Sequence, residues 1–338
     1  MIHLRCISAL FATAVIVTPS MVAAQQKLVV AMPTNPPNIV HMPLYVAIDL
    51  GLFKKHGVTV EAVRLEGGVH AFRAMVAGNA DVASSPGPYS IVARSKGSGT
   101  KLILANANKL EVSMVVQNTI KTLADLKGKR IGIQEPNGFA DVLSRSVLRA
   151  AKIDPKEVTF VSILSEDVPP LVAGQIDTAI LHIEQEIIAK SKLPTLHAVA
   201  RLWELQPKNL YNVMAVTEKT LASKRAALVG FVKGHIEATR LMYTDKAKVM
   251  PVIVKYTNLP QDVAEKSLDF LVKECIWDAN HGMSPSRVSW TTELMERVGN
   301  IEKGKAPKYD EVIDISLAQE ALKALGEWKG PMCPSEQS

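Results

Sequence analysis

The chain has 338 residues, 47% of them hydrophobic, enough to bury one large core or two ordinary ones, so disorder is excluded as its default state. Its formal net charge is +6, but Lys and Arg are interleaved with Asp and Glu along most of the length, which excludes the concentrated basic face of a nucleic-acid binder. What remains is solubility and a mild attraction for anions.

Residues 1–24, MIHLRCISALFATAVIVTPSMVAA, combine a basic Arg5, an apolar run from Cys6 to Val17 and small residues at Val22 and Ala24. That is the layout of a cleavable secretory signal peptide, too short and too weakly flanked for a stable membrane span. The mature protein is expected to start near Gln25, its net charge falling to +5 as Arg5 is lost (6 − 1). No later stretch approaches the roughly 20 apolar residues of a membrane helix, so a soluble exported product is expected. Cys6 precedes the apolar run instead of sitting at the cleavage point, which argues against a lipoprotein anchor. Cys275 and Cys333 remain in a compartment that tolerates a disulfide; a bridge and two free thiols both stay open.

Beyond the leader, KLVVAMP (27–33) reads as a continuous buried strand, MPLYVAIDLGLF (42–53) as a helix ending near Gly51, and VTVEAVRL (58–65) as a second strand. In VHAFRAMVAGNADVASS (69–85), Phe72, Met75 and Val76 share a helix face. Gly78 suits the left-handed position that ends such a helix, Asn79 and Asp81 turn the chain, and a short strand starts at Val82. After the extended SMVVQN (113–118) the plan repeats. RIGIQEP (130–136) is a strand; a helix from Asn137 carries Phe139, Val142, Leu143, Val147 and Ala151 on one face; EVTFVSIL (157–164) is the next strand. Then LVAGQIDTAIL (171–181) restates MVAGNADVASS (75–85), 96 positions on (174 − 78). Two copies of one helix-into-strand phrase indicate two similar α/β units, each a mainly parallel sheet covered by helices on both faces. Ligands of such sheets bind at the carboxyl ends of the strands. NVMAVT (212–217) reads as the extended return to the first lobe, and Glu218 to about Lys329 as helices completing it, one opened by Ser284 and Pro285.

Taken together, PLYVAIDLGLFKKHGVTVEAV, GGVHAFRAMVAGNADVA, IKTLADLKGKRIGI and LVAGQIDTAIL resemble the periplasmic solute-binding proteins of ABC importers, in particular the group that binds nitrate, sulfonates, taurine and pyrimidine precursors. The resemblance covers about residues 27–217, with a looser helical fit beyond. It implies the type II binding-protein fold, in which two lobes close over a ligand at a two-segment hinge and deliver it to an ABC permease in the inner membrane. Under that reading residues 1–24 are the signal peptide, 25–115 plus 217–330 lobe one, 116–216 lobe two and 331–338 a flexible tail. The hinge would fall near Val116–Asn118 and Ala215–Thr217. A periplasmic monomer with a small-molecule ligand, no cofactor, no metal and no nucleic-acid partner is the expectation.

Candidate ligand contacts lie on the strand-end loops. PTNPPNIVH (33–41) offers Thr34, Asn38 and His41, unless the loop is only rigid and the histidine solvated. EGG (66–68) offers close backbone approach at Gly67 or Gly68, or a plain turn. SSPGP (84–88) offers the hydroxyls of Ser84 and Ser85, in a loop that commonly lines the cleft in the family it resembles. QEPNGFAD (134–141) leads into a helix start, where free amides around Asn137, Gly138 and Phe139 bind anionic or carbonyl oxygens; Asn137 as a simple cap with Phe139 in the core is the competing role. LSED (164–167) and LHIEQE (181–186) place Glu166, His182 and Glu184 at strand ends. Carboxylates there repel an oxoanion unless paired with a cation, and accept hydrogen bonds from an amino group instead. Surface exposure of these acids is the alternative.

An enzyme reading finds none of the motifs H-E-x-x-H, C-x-x-C, G-x-S-x-G or G-x-G-x-x-G, and no phosphate loop of the full form G-x-x-x-x-G-K-[ST]. Intracellular enzymes that make the thiamine pyrimidine share the fold and form the enzymatic alternative, against which the export signal argues. A ligand sensor uncoupled from transport is the third class.

Overall fold

The computed structural model describes residues 26–136, 138–163, 168–330 and 333. The expected signal peptide and all of the expected tail except Cys333 lie outside them. Strands β1 (Gln26–Met32), β2 (Val58–Arg64), β3 (Val82–Pro86), β4 (Thr100–Ala107), β5 (Val112–Val116), β6 (Arg130–Ile133), β7 (Thr159–Ser162), β8 (Thr178–His182), β9 (His197–Arg201) and β10 (Asn212–Thr217) form two sheets. Their orders, β2-β1-β3-β10-β4 and β7-β6-β8-β5-β9, are the same pattern twice. β1 is parallel to β2 and β3, as β6 is to β7 and β8. One strand in each sheet runs against its neighbours: β10 against β3 and β4, β5 against β8 and β9. The chain is a two-lobed α/β protein with mixed, mainly parallel sheets flanked by helices.

The duplicated phrase has a physical meaning that the turn reading understates. Gly78 and Gly174 both take left-handed backbone, φ 81° and 70°, and end their helices. Three residues on, each aspartate fastens its strand to the neighbouring parallel strand, β1 in one sheet and β6 in the other. The Asp81 amide donates to Val29 O (2.8 Å) while its carboxylate accepts from Val29 N (2.9 Å). Asp177 repeats both bonds with Arg130, at 2.9 and 2.8 Å. A short side chain that accepts a backbone amide is what this position selects, and it fixes register in both sheets.

Sheet membership corrects the expected lobe boundaries. β5, assigned mostly to lobe one, pairs on both sides with strands of the second sheet, and β10, assigned mostly to lobe two, lies inside the first. The crossings are therefore residues 108–111 and the segment from the helix Leu202–Leu205 to Tyr211, each upstream of the expected hinge. An apolar run such as Val112–Val116 carries the same pattern whichever sheet accepts it, so the pattern alone misplaces it. The C-terminal helices also reach beyond lobe one. Gln261–Lys273 packs against Ile183–Lys192 of lobe two, with Phe270 edge-on to Trp203 at 5.5 Å.

Cys275 and Cys333 are bridged, which settles the choice the sequence left open. Closing a chain segment with a sequence separation of 58 stabilises the fold by about 4 kcal/mol in the chain-entropy account. The variant Cys275→Ser is expected to melt several degrees below the parent with unchanged far-UV circular dichroism; equal melting temperatures in oxidising buffer would refute a stabilising bridge.

Candidate functional site

On the lobe-one side, the loop after β1 closes into a single helical turn, Ile39–His41, which is fully buried. Asn106 Nδ2 (3.0 Å) and the Trp277 indole (2.8 Å) both donate to Val40 O, so the turn is held from two directions. His41 sits beside this anchor at 2% exposure, and its Nδ1 has no hydrogen-bond partner among the described residues. Thr34 Oγ1 accepts from Asn38 N (3.3 Å), bracing the loop from inside. Gly67 N donates to Pro33 O (2.7 Å), tying the β2 loop to the β1 loop. At Gly68 a Cβ would stand 2.6 Å from Pro86 Cδ, so only glycine permits this approach.

Lobe two meets these groups at the ends of β8 and β6. His182 closes β8 and Glu184 opens the helix Ile183–Lys192. Glu184 Oε1 accepts from Asn38 Nδ2 (2.8 Å) and from Ile39 N (3.3 Å), so a buried carboxylate of lobe two is solvated by lobe one. His182 Nδ1 lies 2.7 Å from Glu111 Oε1, which also accepts from the Tyr211 hydroxyl at 3.5 Å. Glu111 and Tyr211 are buried, one on each crossing, and Glu111 Oε2 has no partner among the described residues. The Phe139 ring stacks on His182 (centroids 5.7 Å apart, planes 8° apart) and lies 5.7 Å from Tyr211.

Burial dominates the electrostatics. It holds the His41 imidazole down at about 3, with His182 adding to the effect, so His41 is neutral. It raises the Glu184 carboxyl; His182 works against that rise, Glu111 adds to it, and the Asn38 bond opposes it. It also pushes the Tyr211 hydroxyl well above its ordinary value, Glu111 and Glu184 acting in the same direction. Among the described residues, neither Glu111 nor Glu184 is paired with a lysine or arginine. The cluster is thus rich in acceptors, flanked by aromatic rings and short of cations.

Of the residues singled out from the sequence, Asn38, His41, Phe139, His182 and Glu184 converge at this junction. Thr34, Gly67 and Gly68 shape the lobe-one loops around it. Ser84 and Ser85 lie within β3, not in a loop after it; Ser84 Oγ donates to Asn212 Oδ1 (2.8 Å), and the buried Ser85 Oγ has no partner among the described residues. Gly138 caps the helix Phe139–Ala150, its amide donating to Glu135 O (3.1 Å). Asn137 and Glu166 lie outside the described residues. Glu111 and Tyr211 were missed. The available signal was a lone carboxylate in the apolar stretch LEVSMVV, which becomes suggestive only once a crossing is placed there.

Two α/β lobes of one strand order, joined by two crossings and meeting over buried polar groups, define a periplasmic binding-protein fold. The chain belongs to the NMT1/THI5-like family, whose sequence pattern matches residues 38–249. Similar solved structures include the ligand-binding component of an ABC-type import system from Staphylococcus aureus, with zinc bound, at 16% identity and TM-score 0.70, covering 88% of this chain and 99% of that one. The periplasmic nitrate-binding protein NrtA from Synechocystis PCC 6803 aligns at 13% identity and TM-score 0.72 over 89% of each chain. A Haemophilus influenzae protein named "Putative thiamine biosynthesis protein" is 24% identical over 282 residues, 79% of this chain and 86% of its own length. At these identities the structural likeness fixes the fold and leaves each ligand to its own protein. Among the described residues no helix is long and apolar enough to cross a membrane.

The pH dependence of stability follows from opposite signs. His41 and His235 titrate near 3 in the fold against an ordinary 6.5, so the native chain binds fewer protons than the unfolded one in that window, and stability is lost as pH falls from about 6.5. Glu184, with its carboxyl raised, binds its proton more readily in the native chain, so its ionisation costs stability at neutral pH and the cost fades on acidification. Glu184→Gln, which keeps an acceptor for Asn38, is expected to melt no lower than the parent at pH 8, its relative advantage shrinking toward pH 5. A uniform loss across that range, read by thermal denaturation, would contradict this assignment.

Proposed function

We propose that the chain is the extracytoplasmic solute-binding component of an ABC-type importer, and that its ligand is a small, planar, polar organic molecule which donates N–H bonds, in preference to a free oxoanion. The observation that carries the reading is the pair of buried carboxylates, Glu111 and Glu184, brought together by both lobes without a lysine or arginine partner among the described residues. An anion placed about 4 Å from one ionised carboxylate meets roughly 4 kcal/mol of repulsion at an effective dielectric of about 20. A hydrogen bond from a ligand N–H to such a group contributes about 1.5–3 kcal/mol in the opposite direction. Glu111 Oε2 and His41 Nδ1 have no partner among the described residues, and Phe139 and Tyr211 offer ring faces. Aminopyrimidines combine these features. The leader-like residues 1–24 support capture outside the cytoplasm.

Purified protein is to be screened by thermal shift against aminopyrimidines, other amine-bearing heteroaromatics, taurine, aliphatic sulfonates and nitrate. A ligand at about 100 times its Kd stabilises by about 2.7 kcal/mol. Aminopyrimidines or related donors are expected to raise the melting temperature, and Glu111→Gln to weaken that response at least about tenfold in ligand concentration, a factor worth about 1.4 kcal/mol. Stabilisation by nitrate or a sulfonate alone would overturn the ligand class. Product formation from a bound precursor would replace the transport reading with the biosynthetic one.

A further inference from the structure

Arg287 is 3% exposed, on the helix Pro285–Arg297 of lobe one. Its Nη1 donates to Asn108 O (2.7 Å) on the first crossing and to Pro207 O (3.2 Å) on the second. One buried nitrogen therefore holds a carbonyl from each of the two segments that join the lobes.

The bonds around those carbonyls show where each lobe's grip stops. On the first crossing, Asn108 N donates to Ile276 O (2.9 Å), Asn108 Nδ2 to Asp278 Oδ2 (3.3 Å) and Lys109 Nζ to Glu274 O (2.6 Å), all on the lobe-one side. The lobe-two grip begins with β5 at Val112, whose partner is His182. On the second crossing, Gln206 N donates to Leu202 O (2.8 Å) and Gln206 Nε2 to Ser146 Oγ (2.7 Å), both in lobe two. Immediately after it, Pro207 O is bound by Arg287, Leu210 N donates to Thr291 Oγ1 (2.9 Å), and Gly87 N donates to the carbonyls of Leu210 and Tyr211 (3.2 Å each), all in lobe one. Rotation between rigid bodies is absorbed by the few residues that neither body holds. Between the two grips lie Leu110 and Glu111 on one crossing and the Gln206–Pro207 junction on the other.

We infer that Arg287 is a positioning residue for ligand capture, which fixes both pivots of interlobe rotation by holding the lobe-one carbonyl that borders each. The two N–H donors of Nη1 are fixed in the guanidinium plane, one for each carbonyl, whereas a lysine ammonium sits on a shorter, flexible stem with donors that rotate. Losing it releases the carbonyls of Asn108 and Pro207 together, loosens the lobe-one border of both flexing segments and lets the lobes sample wider separations.

The test needs no ligand, so its outcome is independent of the proposed ligand class. Val76 and Val142 are half exposed, one in each lobe, and the cysteines of the mature chain are bridged, so nitroxide labels on Val76→Cys and Val142→Cys report the interlobe distance. Arg287→Lys and Arg287→Met are expected to broaden the distance distribution and shift it to longer values, with faster amide exchange at 108–111 and 206–211. Thr291→Val, which removes only the hydroxyl gripping Leu210, is expected to show a smaller change in the same direction and serves if Arg287→Met does not fold. Val288→Ala opens a core cavity on the same helix and is expected to lower the melting temperature without moving the distance. Parent-like distributions in folded Arg287→Lys and Thr291→Val, or equal broadening in Val288→Ala, would overturn the inference.

Discussion

Each sheet takes its antiparallel strand from the chain that has just crossed between the lobes, and this constraint governs the rest of the molecule. β5 follows the first crossing and is inserted between β8 and β9; β10 follows the second and is inserted between β3 and β4. A segment whose far end is already hydrogen-bonded into the interior of a sheet has few free residues left, so both crossings are short and run at the root of the cleft. Side chains on them have nowhere else to go. Glu111 and Tyr211 meet there at 3.5 Å because topology places them, and the strand-end loops of both lobes converge on the same point.

That convergence makes the electrostatics expensive. Burying two carboxylates side by side is unfavourable unless hydrogen bonds replace water, and the replacements come from different parts of the chain. Glu184 relies on Asn38 and the Ile39 amide, Glu111 on His182 and Tyr211. His41, kept neutral by burial, adds a polar group that carries no charge. The arrangement is locally destabilising by the same terms that make it selective: groups without partners in the fold are those able to reward a ligand that supplies complementary ones.

Much of this architecture was legible. The Gly-to-Asp phrase pointed to twin bodies, and Asp81 and Asp177 show why it recurs, since one fastens β3 to β1 and the other β8 to β6. Asn38, His41, His182 and Glu184 could be picked out because polar residues at strand ends are where such sheets present chemistry. What could not be read was pairing. Val112–Val116 and Asn212–Thr217 are apolar throughout most of their length, and hydrophobic pattern records that a strand is buried without recording beside what. Misplacing those strands moved the hinge downstream and hid Glu111, Tyr211 and Arg287 together. Arg287, on a helix face between Ser286 and Val288, has no local signature, because its partners are carbonyls 179 and 80 positions away.

The pivots and the ligand groups are not separable. Glu111 lies within the flexing segment, bound through Oε1 both to His182 of lobe two and to Tyr211 on the lobe-one side of the second crossing. Rotation of the lobes must therefore change the surroundings of Glu111, and a ligand that engages this carboxylate necessarily binds one lobe arrangement better than another. A ligand shifts a conformational equilibrium only by its difference in affinity for the two states, and under the proposed ligand reading that difference is built into a residue serving as both contact and pivot. The Asn38–Glu184 bond joins the lobes through protein groups alone, so part of the closing free energy does not come from the ligand. Apparent affinity scales with the fraction of molecules already in the competent arrangement, which makes the stiffness of two short crossings a determinant of binding alongside the chemistry of the cleft.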